Sequence, residues 1–167
     1  MDIAWDDLLQ HVQGHSFWLT YLADAGRPES PIGIHVAIFS EPFLSFVLSG
    51  KKTIESRFSR NRCSPYGEIG DGDIILLKQV AGPICGVTLA KRAWHYDLAI
   101  EPLSRIRDRF GAEIRADNEF WASHADALYA TLIALSATTS IAPVRCNKRD
   151  RRGWVTIRPR QLAFDFR

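Results

Sequence analysis

The stretch SEPFLSFVLSGKKTIESRFSRNR, residues 40–62, places a short helix directly before a strand, and its basic part, residues 50–62, gathers five cations around one carboxylate. Ser40 is a typical N-cap residue, and Pro42 suits the first turn of a helix. The apolar residues recur at helical spacing: Phe43, Phe46 and Val47. Gly50 is expected to end this helix. The pattern therefore predicts a helix that ends where the basic run begins.

An extended conformation over residues 53–58 would sort the side chains onto two faces. Ile54 and Phe58 would face the core. The polar residues Thr53, Glu55 and Arg57 would share the opposite face. Glu55 has two interpretations at this stage. It is an ion-pair partner of Arg57 or Lys52, or it is a functional carboxylate that accepts from the amino edge of a base or acts as a general base.

The rest of the chain alternates strand-like and helix-like segments. Strands are predicted by the apolar patterns at 34–39, 74–78, 84–96, 128–144 and 154–157. A helix carrying Leu103 is expected to stop at Gly111, and Asp117 is expected to cap a shorter helix. We therefore predict an α+β protein whose main domain is a small, mostly antiparallel β-barrel with flanking helices.

The first part of the chain differs from the rest in charge. Residues 1–30 carry five acids and one base, a net charge of −4, and contain apolar residues at helical spacing followed by a linker rich in Gly and Pro. We interpret residues 1–30 as a helical extension with its linker and residues 31–167 as the main domain. The extension could also recruit a protein partner or form a dimer.

Basic residues cluster in two separate segments although the whole chain has a net charge of only +2. Residues 50–62 and residues 145–152 each carry five cations and one acid, a net charge of +4. The aromatic residues Tyr66 and Trp154 follow these segments. Cations that contact a phosphate backbone and rings that stack on bases are what single-stranded nucleic acid binding requires. The alternative is that the cations solvate loops and that Trp94 and Trp154 belong to the core.

Several other functions are disfavoured. GKKT lacks the first glycine of a phosphate-binding loop, and GDGDII fails the dinucleotide fingerprint at its last position. His11 and His15 have the spacing of two metal ligands, but Gly14 lies between them and no third ligand is evident. No GxSxG motif is present. We therefore expect no cofactor and no metal.

Cysteine usage and polarity suggest the compartment. The three cysteines are an odd number without CxxC spacing, and the N-terminus is acidic, which favours a cytoplasmic protein. Residues 127–144 lack charge but contain too many hydroxyl side chains for a membrane helix. No membrane partner is expected.

The segment 40–78 resembles the ASCH domain, a member of the PUA-like superfamily of small β-barrels. The pattern of that family is an acidic or amide residue before Pro and an aromatic residue, then G-x-K-x-x-E-x-R, then a loop and a GD-apolar strand. The matching residues are Glu41-Pro42-Phe43, then Gly50, Lys52, Glu55 and Arg57, then Gly72-Asp73. The similarity extends more loosely through Trp94 and KRDRRGWV, whereas the N-terminal thirty-odd residues lie outside it.

The resemblance implies a cleft beside the helix–strand junction and a role connected with RNA. One branch of the family hydrolyses N4-acetylcytidine, and ribonuclease activity is attributed to other members. In the amidohydrolase branch a lysine stands at the position of Lys52 but a threonine nucleophile at that of Glu55, so this chain departs from that branch. The nearest residues for that branch's second acid are Glu119 and Glu113.

We predict that the protein binds single-stranded RNA, a nucleotide or a modified nucleoside in a basic cleft. The predicted ligand-binding residues are Lys51, Lys52, Glu55, Arg57, Arg60, Arg62, Tyr66, Lys148, Arg151, Arg152 and Trp154. The alternative is a hydrolase acting on RNA or modified nucleosides, a ribonuclease or an N4-acetylcytidine amidohydrolase-like enzyme. In that case Lys52 would be the electrophile or proton donor and Glu55 the general base.

Overall fold

The computed structural model describes residues 3–147 and 152–161, and within these ranges the chain forms six strands and five helices. The strands are β1 (Ile34–Phe39), β2 (Ile54–Ser59), β3 (Ile74–Gln79), β4 (Ile84–Asp97), β5 (Tyr129–Val144) and β6 (Trp154–Arg158). The helices are α1 (Trp5–His11), α2 (Ser16–Ala25), α3 (Phe43–Leu48), α4 (Leu103–Ile114) and α5 (Asn118–Ser123). The elements follow the order that the apolar patterns predicted.

All six strands belong to one mixed sheet, in the order β2-β5-β4-β3-β1-β6. Only β1 and β3 pair in parallel; the other neighbours are antiparallel. Register shifts interrupt the long β4–β5 pairing at three places, and such bulges bend a sheet. The sheet curls into a half-barrel with flanking helices, so the predicted α+β architecture is confirmed. Because the half-barrel is open, β2 and β6 remain its two end strands.

Helix α3 begins two residues later than predicted. The N-cap position belongs to Pro42, and Ser40 makes no capping hydrogen bond with its side chain, so the prediction for Ser40 was wrong. The Glu41 carboxylate instead accepts a hydrogen bond from the Ser45 N–H at 3.1 Å. Gly50 follows the helix with a φ of +76°, the left-handed conformation predicted for it.

Helix α4 runs through Gly111, where it was predicted to stop. It continues to Ile114, whose side chain is fully buried, and Arg115 ends it in the left-handed conformation with a φ of 58°. Burial of the last turn outweighs the weak helix preference of glycine. Asp117 caps α5 as predicted, because its carboxylate accepts a hydrogen bond from the Phe120 N–H at 2.8 Å.

The N-terminal helices share a hydrophobic core with the sheet. Trp18 is 1% exposed, and its indole N–H donates to the Ala137 carbonyl of β5 at 2.8 Å. The same core contains residues of both parts: Leu8, Val12 and Leu22 from the helices, and Val36, Ile74 and Val87 from the sheet. The helices therefore cover one face of the half-barrel. Among the described residues, no helix has the length and apolar character needed to cross a bilayer.

A buried polar network ties β1 to the loop before β3. Asp73 accepts hydrogen bonds from the backbone N–H groups of Gly33 and Gly70, each at 2.8 Å. His35 and Arg160 lie 3.3 and 3.2 Å from the same carboxylate. Burial alone would raise the pKa of Asp73, but these hydrogen bonds and the nearby arginine outweigh it and lower the pKa. The network fixes the strand that carries one wall of the site described next.

Candidate functional site

A cavity of about 350 Å³ lies at the open side of the half-barrel, between the end of β1 and the free edge of β2. Helices α3 and α5 supply its remaining walls. The lining residues are Ile38, Phe39, Ser40, Phe43, Lys52, Glu55, Ser56, Arg57, Phe58, Phe120 and His124. The volume falls at the lower end of the range of small-molecule sites.

Glu55 is the central charged residue of this cavity. It lies on β2 and is 4% exposed. One carboxylate oxygen, Oε1, lies 2.7 Å from Nε of Arg57, and the other, Oε2, lies 3.5 Å from Nζ of Lys52. The Arg57 contact is short but is not aligned as a hydrogen bond, so we describe it as an ion pair. Two flanking cations thus make it feasible to bury the carboxylate.

Lys52 is buried almost as completely as Glu55, at 3% exposure. Its ammonium group donates to the Ile114 carbonyl at the end of α4, at 2.7 Å, and lies 5.6 Å from the centre of the Phe43 ring. Burial lowers the pKa of Lys52, and the nearby Glu55 carboxylate partly opposes this effect. A lysine with a lowered pKa beside a carboxylate, in a cavity, is typical of functional sites.

Arg57 connects strands that the sheet does not pair. Its Nη2 donates to the Ile38 carbonyl at 3.1 Å, and its Nη1 donates to the Gly153 carbonyl at 3.0 Å. The guanidinium also lies over the rings of Phe39 and Trp154, at 5.2 and 5.5 Å. These hydrogen bonds use two of its five N–H donors within the protein. The second basic segment, residues 145–152, ends immediately before Gly153. The Arg57–Gly153 hydrogen bond therefore places this end next to the first basic segment, residues 50–62.

Ser56 and His124 are pocket residues that sequence reasoning missed. The Ser56 hydroxyl is buried and has no hydrogen-bond partner among the described residues. Nδ1 of His124 lies 2.7 Å from the Phe120 carbonyl, to which it can only donate, so Nε2 carries no proton in the neutral ring. Within the described ranges, Nε2 has no partner. No sequence pattern predicted that α5 lies beside β2, because the two elements are far apart in the chain and meet only in the folded protein.

The predicted residues fall into three groups. Lys52, Glu55 and Arg57 line the same cavity. Lys51, Arg60 and Arg62 are exposed outside the cavity lining; Arg60 forms an ion pair with Asp126, and Arg62 lies over the Tyr129 ring. Lys148 and Arg151 lie outside the described residues, whereas Arg152 is described and exposed.

The two aromatic residues predicted to stack on bases differ in position. Tyr66 is half-buried and contacts His95 and Tyr129, at a smaller cavity of about 180 Å³ that Arg57 also lines. Trp154 is 3% exposed, and its indole N–H donates to Nδ1 of His35 at 3.3 Å. Trp154 thus packs in the core and supports Arg57, which corresponds to the alternative interpretation.

Comparison with solved structures identifies the architecture. The crystal structure of ASCH from Zymomonas mobilis superimposes on this chain with a TM-score of 0.60 at 17% sequence identity, covering 75% of this chain and 87% of that chain. This chain has an ASCH-like fold. Two single-residue variants of the Zymomonas mobilis protein give TM-scores of 0.60 and 0.58 at 17% and 18% identity. Each covers 75% of this chain, and 90% and 88% of its own.

The likeness to ASCH is one of fold and not of close sequence. No protein-family model and no curated protein sequence matches the chain. Within the described ranges, no cluster of three or more His, Cys, Asp and Glu side chains has the geometry of a metal site.

Proposed function

We propose that this ASCH-fold protein binds a nucleobase in the Glu55 cavity, presented by single-stranded RNA or by a free nucleotide or modified nucleoside. The observation that carries the proposal is a buried carboxylate in a cavity of about 350 Å³ that phenylalanine rings surround. A base offers flat faces to such rings and amino hydrogens to such a carboxylate.

The aromatic lining supports the entry of a planar group. Phe43 and Phe120 are paired with ring centres 5.6 Å apart, and Phe58 lies 6.0 Å from Phe120. These rings come from α3, β2 and α5, so they meet only at the mouth of the half-barrel. Stacking of a base on such rings contributes about 1–3 kcal/mol per base and tolerates different bases.

The charges around the cavity support an anionic ligand. Lys52 and Arg57 against Glu55 leave a net charge of +1 on the lining, with His124 taken as neutral. Lys51, Arg60 and Arg62 add exposed positive charge close to β2 in the sequence. In this arrangement Glu55 selects the base, and the exposed cations attract the phosphates without selecting a sequence.

Binding of fluorescently labelled RNA hexamers, followed by anisotropy at several salt concentrations, tests the proposal. We expect the logarithm of affinity to fall with the logarithm of salt concentration, and Arg62→Ala to lower that slope by about one. Glu55→Gln is expected to weaken binding at least tenfold, because it removes the carboxylate acceptor. Asp108→Asn, at an exposed position on α4, is the matched control and should stay within about twofold. Affinity that ignores both salt and Glu55 would contradict the proposal.

A hydrolase acting on RNA or an acylated nucleoside is the second candidate, and the pKa of Lys52 is the observation that favours it. In this reaction Glu55 takes a proton from the attacking water and Lys52 donates one to the leaving group. His124, with its free Nε2, lies on the same cavity. Incubation with RNA hexamers and with N4-acetylcytidine, followed by chromatography, should reveal products that Lys52→Met abolishes. Absence of products from all substrates would leave binding as the function.

A further inference from the structure

The free edge of β2 at Ser56 exposes backbone groups to the cavity. Among the described residues, strand β2 is an end strand and pairs only with β5. In an antiparallel pair, alternate residues turn both backbone groups toward the partner strand. The Thr53 carbonyl accepts from the Leu135 N–H of β5 at 2.9 Å, which sets this alternation. Glu55 and Arg57 therefore turn their backbone toward β5, and the N–H and C=O of Ser56 turn toward the cavity.

The chain around Ser56 is otherwise engaged. Before β2, the Thr53 N–H donates to the Glu113 carbonyl of α4 at 3.1 Å. After Ser56, the Arg57 guanidinium extends across the gap to Ile38 on β1. The Arg57 guanidinium therefore obstructs the gap in which an added peptide strand would lie, whereas a single planar ring needs only one donor and one acceptor.

We propose that the N–H and C=O of Ser56 pair with the hydrogen-bonding edge of a planar heterocycle and direct its exocyclic amino group to Glu55. The inference rests on the proposed function and adds the backbone groups of Ser56 as the groups that recognise the base. An N–H and a C=O from one residue point to the same side of a strand, and they match an adjacent acceptor and donor on a base. The carboxylate of Glu55 adds a second acceptor beside them.

This arrangement specifies a class of ligand. The edge must combine an acceptor with a neighbouring N–H group, and an amino group must lie within reach of Glu55. Adenine, cytosine and guanine carry an exocyclic amino group, and uracil does not. The preferred ligand is thus an amino-bearing base, with its pairing edge unmodified and unpaired.

Ligand modification tests the inference without altering the protein. Isothermal titration calorimetry first compares the four nucleoside 5′-monophosphates, and the amino-bearing nucleotide that binds best is kept. Its N,N-dimethylamino counterpart should bind at least tenfold more weakly, because the amino group no longer donates and a polar partner is left unsatisfied. The 2′-O-methyl counterpart, modified away from the edge, should bind within about threefold.

A matched pair of substitutions tests the protein side. Ser56→Pro removes the outward N–H while keeping the hydrogen bonds to β5, because proline is tolerated on an edge strand where its nitrogen faces outward. Ser56→Ala keeps the N–H and removes only a hydroxyl that has no partner among the described residues. We expect at least a tenfold loss for Ser56→Pro and less than a twofold change for Ser56→Ala, with folding verified by circular dichroism.

The outcomes separate the two proposals. If amino-bearing nucleotides bind but dimethylation of the amino group changes affinity less than twofold, the edge-reading inference is overturned and the proposed function stands. If the uridine nucleotide binds most tightly, the edge-reading inference is likewise overturned and the proposed function stands. If none of the four nucleotides binds, the inference about Ser56 is overturned, and the RNA hexamer measurement decides the proposed function. Should Ser56→Pro fail to fold, the ligand series alone decides.

Discussion

The guanidinium of Arg57 donates a hydrogen bond to the carbonyl of Ile38, 3.1 Å away, across a gap that the sheet leaves open. Arg57 belongs to β2, at one end of the sheet order, and Ile38 belongs to β1, beside the other end. A side chain therefore joins the two sides of the half-barrel where no strand pairing does. The Glu55 carboxylate forms an ion pair with the same guanidinium, at 2.7 Å. Glu55 therefore contributes to the fold as well as to the candidate site.

Replacement of Arg57 should destabilise the protein. Arg57→Lys keeps the charge but loses the planar fork that directs separate nitrogens to Ile38 and Gly153, and it leaves Glu55 less well paired. We expect the free energy of unfolding, measured by urea denaturation, to fall by roughly 2–4 kcal/mol. Arg60→Lys, at an exposed ion pair with Asp126, should change it by less than about 0.5 kcal/mol. Equal effects of the two substitutions would exclude the bridging role of Arg57.

The lowered pKa of Lys52 predicts a pH dependence with a definite sign. Burial lowers this pKa below the ordinary value of 10.5, so the unfolded chain binds more protons in the interval between the two values. The contribution of Lys52 to stability should therefore rise as pH increases toward 10.5. Urea denaturation from about pH 7 to about pH 10 should show wild type gaining stability relative to Lys52→Met. Lys51→Met, the exposed neighbour, should give a constant difference from wild type.

The lowered pKa of Asp73 predicts that the protein loses stability at acidic pH. Burial alone would raise its pKa, but hydrogen bonds from His35, Gly70 and Gly33, with the charge of Arg160, lower it below 3.8. The stabilisation is therefore present above 3.8 and is lost as pH falls through the folded-state value. We expect Asp73→Asn to destabilise the protein by roughly 3 kcal/mol near neutrality and by clearly less near pH 3. A difference that stays constant with pH would contradict this prediction, and Asp126→Asn is the exposed control.

Two neighbouring aromatic residues of α2 test whether the N-terminal helices are part of the core. Trp18 is buried and bonded to β5, whereas Phe17 is 49% exposed. Trp18→Ala should lower the free energy of unfolding by about 3–5 kcal/mol. Phe17→Ala should lower it by less than about 1 kcal/mol. If both substitutions are tolerated equally in thermal denaturation, residues 1–30 are a dispensable extension.

Local patterns predicted most of the elements and part of the site. The apolar periodicity around β2 placed Glu55 and Arg57 on one face, and the two side chains are in contact. The predicted strands and the cap at Asp117 also agree with the structure. Predictions failed at helix ends, at Ser40 and Gly111, because a carboxylate from Glu41 and burial of Ile114 replaced the expected local signals.

The sequence by itself determined the helix–strand junction and its spacing of Lys52, Glu55 and Arg57, since these depend on neighbouring residues and on alternation along one strand. The ASCH-like fold was implied by the resemblance of residues 40–78 to that family. Only the tertiary structure decided that Glu55 is buried, that Trp154 supports Arg57 from the core, and that His124 and Phe120 complete the cavity. The physical reason is distance along the chain. A strand's periodicity assigns a side chain to a face, but what meets that face depends on how remote segments pack against it.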